Sequence, residues 1–111
     1  MSRHASKLKL SAALLSSAFL MAGLSACSNN QSTETLLAEA KQYQQKGDLK
    51  AAMIQLKNAV AKSPEDAEAR IQLGMLHLET GDAVSADKEL RKARSLGADA
   101  GRVLPLLGKA N

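Results

Sequence analysis

The chain is 111 residues long, which allows one small domain, and its single cysteine excludes an internal disulfide. Aromatic residues are only 2 % of the total, with one Tyr, one Phe and no Trp, so a large aromatic core is excluded. The formal charge is +4, but Arg3, Lys7 and Lys9 sit within the first ten residues; the rest is close to neutral and carries no clustered basic face for a nucleic acid.

The N-terminus opens with Arg3, His4, Lys7 and Lys9, followed by an uncharged stretch over 10–24 built mostly from Leu, Ala, Ser and Met. That stretch is shorter than the roughly 20 apolar residues a membrane-spanning helix needs. Positive charge, a short apolar segment and small residues before a cut are the order of a secretory signal. The segment ends Leu24-Ser25-Ala26-Cys27. This resembles a bacterial lipoprotein signal peptide with its lipobox. The resemblance implies that residues 1–26 are removed and that Cys27 is lipidated with a diacylglycerol and palmitate-like acyl chains. Two or more chains give stable attachment where one gives marginal binding. Ser28, not Asp, follows the cysteine, and by the same resemblance this implies an exported protein on the periplasmic face of the outer membrane. Apart from the covalent lipid on Cys27, no cofactor is expected.

Residues 27–33 read as the lipidated start and a short polar tether. Beyond them the pattern is helical and recurs at an interval of 34 residues. Gly47-Asp48 returns as Gly81-Asp82, Ala52 as Ala86, Leu56 as Leu90, and Ala59 as Ala93. Ala40 returns as Gly74 and again as Gly108; Leu73 returns as Leu107; Tyr43 corresponds to His77. Two helices are expected per period. In the first they cover about 35–46 and 49–62, with glycine ending one and Asp48 capping the next. In the second they cover about 65–80 and 83–96. A last helix is expected from Asp99 or Ala100, with Pro105 delaying or bending it. Small residues at Ala40, Gly74, Ala52 and Ala86 let paired helices approach, Tyr43, Leu56, Leu73 and Leu90 fill the wider gaps, and Ala59 and Ala93 sit where the next helix crosses.

These positions resemble the tetratricopeptide repeat (TPR). Leu36 and Arg70 stand where that consensus prefers Trp, His77 replaces Tyr, and Ala98 replaces the inter-repeat Pro. The resemblance implies an all-α helix-turn-helix solenoid with one repeat over 34–66, a second over 67–100 and a partial third over 101–111. The order of signal, lipobox, tether and immediate repeats, with "YQQKGDLKAAMIQLKNAVAKSPEDAEAR" and "LGMLHLETGDAVSADKELRKARSLGAD", also resembles the start of the PEP-CTERM/exosortase-system TPR-repeat lipoproteins. That family implies a role in PEP-CTERM protein sorting and exopolysaccharide production. The rival reading is a TPR lipoprotein of pilus or outer-membrane assembly, or a truncated stub with a structural role only.

Repeat register places Leu37, Lys41 and Gln44 of the first unit and Ile71, Met75, Leu78 and Glu79 of the second on an inner, partner-binding face. A protein or peptide partner is expected there, helped by the adaptable packing of methionine, against the plainer reading that the patch is buried. His77 reads as a packed residue because no second ligand lies at metal spacing. Asp48 and Asp82 read as turn acids. The run Lys88, Arg91, Lys92 and Arg94, interleaved with Asp87 and Glu89, reads as a solvated helix face. No phosphate loop, nucleophile–base pair or ligand cluster is present, so no enzyme, small-molecule substrate, metal or nucleic acid is expected.

Overall fold

The computed structural model describes residues 30–111; the signal segment and the lipidation site at Cys27 lie outside them. The described residues form five helices and no strand: α1 Thr33–Gln45, α2 Leu49–Lys62, α3 Ala67–Glu79, α4 Ala83–Ser95 and α5 Ala100–Ala110.

Each of the first four helices starts on a short polar side chain. Ser32 accepts from the Thr35 amide, Asp48 from Ala51, Asp66 from Ala69 and Asp82 from Ser85. Each such cap satisfies an amide that the helix leaves without a partner and contributes about 1 kcal/mol. Helix ends repeat just as regularly. The Asp48 amide donates to the Tyr43 carbonyl and the Asp82 amide to the His77 carbonyl, closing turns at Gly47 and Gly81. Those two glycines have φ +78° and +82°, a conformation that costs a side chain dearly. They are exposed, and a Cβ on either would meet nothing within 4 Å. Their role is therefore the turn, and they are not helix-packing residues.

Two boundaries differ from the sequence reading for the same reason, a cap. α1 begins at Thr33, inside the expected tether, because Ser32 caps it. Thr33 is buried, and its hydroxyl lies 2.6 Å from that of Ser63. α3 begins two residues later than expected, because Pro64 and Glu65 form a turn and Asp66 is the cap. α5 starts at Ala100 and runs through Pro105. The missing proline amide leaves the Gly101 carbonyl without its usual intrahelical donor.

The helices pair as α1 with α2 and α3 with α4, and α5 lies on α4. Ala40, Ala52 and Leu56 of the first pair are fully buried and cluster with Leu73 and Leu76 of α3. Leu36, Ala59 and Ala69 make a second cluster between the units. Ala86, Leu90 and Ala93 of α4 cluster with Ile71, Ala98, Val103 and Leu107. Burying each of the large aliphatic side chains contributes about 2–3 kcal/mol. Thin crossings are set by small residues: a Cβ built on Gly74 would fall 2.8 Å from Leu90 Cγ.

One buried ion pair stands beside this apolar packing. Arg70 Nη1 donates to Glu89 Oε2 at 2.8 Å, and its Nε and Nη2 donate to the Pro64 carbonyl. Glu89 is only 8 % exposed. The solvated face expected for the basic run is thus interrupted at Glu89, because the Arg70 guanidinium occupies the site where the repeat prefers a bulky aromatic.

Candidate protein-binding groove

Alternate helices place one side-chain row of α1, α3 and α5 on a common face. A hollow of about 340 Å³ is lined by Lys41 and Gln44 from α1, Glu68, Gln72 and Met75 from α3, and Arg102 from α5. A second, of about 320 Å³, is lined by Met75, Leu78, Glu79, Leu106 and Lys109. Met75 belongs to both and is 44 % exposed. Lys41, Met75 and Lys109 occupy the same place in successive 34-residue periods, so a thioether lies between two ammonium groups along the groove. Neither lysine is in an ion pair among the described residues.

Of the expected groove residues, Lys41, Gln44, Met75, Leu78 and Glu79 line these hollows. Leu37 is half-buried against the first core. Ile71 does not belong to the face: it is 2 % exposed and packs with Val103 and Leu107. The register that turns Leu37 partly inward places Ile71 under α5, whose apolar side closes over it. Glu68, Gln72, Arg102 and Lys109 were not singled out from sequence. Their signal was available in the period, since Glu68 and Arg102 are 34 residues apart, as are Met75 and Lys109.

Arg102 and Glu68 make a two-pronged pair across α3 and α5, with Nη2 to Oε1 at 2.8 Å and Nη1 bonded to Oε2. Gln72 donates to Oε1 at 3.0 Å. The Arg102 bond, helped by Gln72 and opposed by partial burial, holds the Glu68 carboxyl below its ordinary pKa. A depressed folded pKa contributes stability above the unfolded pKa of about 4.3, which is lost as pH falls through the folded value. Thermal melts of wild type and Glu68→Gln are expected to differ at pH 7 and to converge as the pH falls through the lowered Glu68 pKa. The pair is half exposed, so the difference is expected to be small and to shrink in salt.

Other titratable groups serve the helix ends. The side-chain and backbone hydrogen bonds of Ser85 hold the Asp82 carboxyl below its usual range. His77 is buried, with Nδ1 3.5 Å from Asp82 Oδ2. No group of three or more potential ligands that a metal ion would need occurs among the described residues. No described helix is long and apolar enough to cross a membrane.

Capped helix pairs in a 34-residue register, with an inner face made by alternate helices, define a helical-repeat solenoid of two units and a partial third. The chain belongs to the tetratricopeptide repeat family, whose model matches residues 37–110. Members of that family generally act as protein-interaction modules and not as catalysts. Comparison with curated proteins gives no match.

Proposed function

We propose that the chain is a membrane-anchored adaptor of the bacterial envelope that holds a protein or peptide partner in the groove of α1, α3 and α5. The observation that carries the binding part is the half-exposed Met75, flanked by Leu78 and Leu106, with Lys41 and Lys109 on either side. Such a surface accepts an extended or helical segment by apolar contact while the lysines favour acidic flanks. Met75→Glu places a charge in the centre of it. In parallel pull-downs from envelope extract, the variant is expected to lose partners that wild type recovers. Equal recovery by the two proteins would remove the groove from the proposal.

The anchored part rests on the Leu24-Ser25-Ala26-Cys27 sequence behind its basic, apolar leader. It gives an exported protein whose only attached group is the lipid on Cys27, held at the periplasmic face of the outer membrane. Cys27→Ser is expected to abolish metabolic labelling with palmitate and to move the protein out of the membrane fraction. Retention of both would overturn the anchor. The PEP-CTERM and exopolysaccharide role is supported by the likeness of the leader and opening repeats to lipoproteins of that system. Deletion of the gene is then expected to lower exopolysaccharide output and missort PEP-CTERM proteins; unchanged levels of both would leave a general envelope adaptor.

A further inference from the structure

We propose that Met75 is a redox-modification site, oxidised by peroxide to its sulfoxide ahead of the other methionine of the fold, and that this change releases whatever the groove holds. The release step rests on the groove binding a partner as proposed above; the oxidation does not. Two methionines lie among the described residues. Met53 is half-buried and packs against the cluster of Ala40, Ala52 and Leu56. Met75 is 44 % exposed and lines both hollows of the groove. A thioether reacts only where an oxidant reaches its sulfur, so the two side chains differ in the first requirement for oxidation.

The second requirement is a proton for the departing oxygen, and the groove supplies donors on both sides. Lys41 shares one hollow with Met75 and Lys109 the other, and neither ammonium is in an ion pair among the described residues. Arg102, the other cation on the first hollow, is committed to Glu68. Glu79 on the second is an ionised acceptor with no proton to give. In the step, the sulfur lone pair attacks one oxygen of hydrogen peroxide, and the S–O bond forms as the O–O bond breaks. The departing hydroxide takes a proton from a lysine ammonium and leaves as water; the hydroxyl now on sulfur returns a proton to that amine and becomes the sulfoxide. Sulfur loses two electrons and peroxide gains them. The product places a polar S=O group between Leu78 and Leu106, where an apolar partner residue would have to bury it.

The test treats the full chain in detergent micelles with hydrogen peroxide and follows each methionine by peptide mass spectrometry. Met75 is expected to oxidise more than about fivefold faster than Met53, and Lys41→Gln with Lys109→Gln to slow Met75 more than about twofold while leaving Met53 unchanged. Both lysines are exposed, so the double variant keeps the fold. Equal rates at the two methionines, or a Met75 rate indifferent to the lysines, would overturn the site. In the pull-down, protein oxidised at Met75 is expected to lose the partners that Met75→Glu loses, and Met75→Leu to keep them after the same treatment. Partners kept by the sulfoxide but lost by Met75→Glu would leave the groove standing and overturn the release. No loss with Met75→Glu would remove the groove, and the release with it, while the oxidation rates decide the site by themselves.

Discussion

Replacing Arg70 by Leu is expected to lower the unfolding free energy by about 3 kcal/mol, and adding Glu89→Gln is expected to restore more than half of the loss. The single substitution leaves a carboxylate that is 8 % exposed without its guanidinium, and it also strips two donors from the Pro64 carbonyl. A buried charge without a partner is the costly state; the pair itself is worth much less, because both ions gave up water to form it. The first repeat displays the uncharged solution. Leu36 and Gln55 stand 34 residues before Arg70 and Glu89, and Leu36 is buried there without an ion pair. The double variant therefore installs in the second unit the residue pair that the first already uses. Denaturant unfolding at pH 7 of the two single variants and the double variant closes the cycle. Strictly additive losses would show that Arg70 acts through packing alone.

Glycine to alanine at one repeat position is expected to have opposite signs in two consecutive units. Helix propensity favours alanine by about 1 kcal/mol at both Gly74 and Gly108. At Gly74 the new methyl would fall 2.8 Å from Leu90 Cγ and 3.0 Å from Cδ2, and Leu90 is fully buried with no room to retreat. Overpacking of about 1–3 kcal/mol outweighs the propensity gain, and Gly74→Ala destabilises. At Gly108 the methyl meets nothing within 4 Å, so Gly108→Ala stabilises by about 0.5–1 kcal/mol. Chemical denaturation midpoints of the two variants give the comparison directly. Shifts in the same direction would mean that the crossing of α3 and α4 is not set by the glycine.

Much of this architecture is legible in the residues because its determinants are local. Gly47-Asp48 and Gly81-Asp82 each end one helix and cap the next within two residues, so the turns can be placed by inspection. The alternation of small and large residues on the helix faces likewise announces which sides meet. Boundaries were less legible where several polar residues precede a helix, as Ser32 and Thr33 do at α1, and where Pro64 and Glu65 make a turn ahead of the Asp66 cap of α3. The groove was read only in part. Ile71 belongs by period to the inner row, but whether that row is open depends on α5, whose buried contacts Val103 and Leu107 come more than thirty residues later. The pairs Arg70–Glu89 and Arg102–Glu68 were missed for a related reason. Each joins different helices, and a helix-face reading of charge considers only neighbours three or four residues apart.

The three cores do not divide cleanly between the repeats. α3 supplies Leu73 and Leu76 to the first, Ala69 to the second and Ile71 to the third. Without α3, the pair α1 and α2 lacks two of the five residues of its central apolar cluster. Taken alone, the first unit is an open sandwich that residues 67–79 close. α4 and α5 pack on the other side of that same helix. The middle helix thus ties the repeats into one cooperative body, and a chain cut before α3 would present a bare apolar seam.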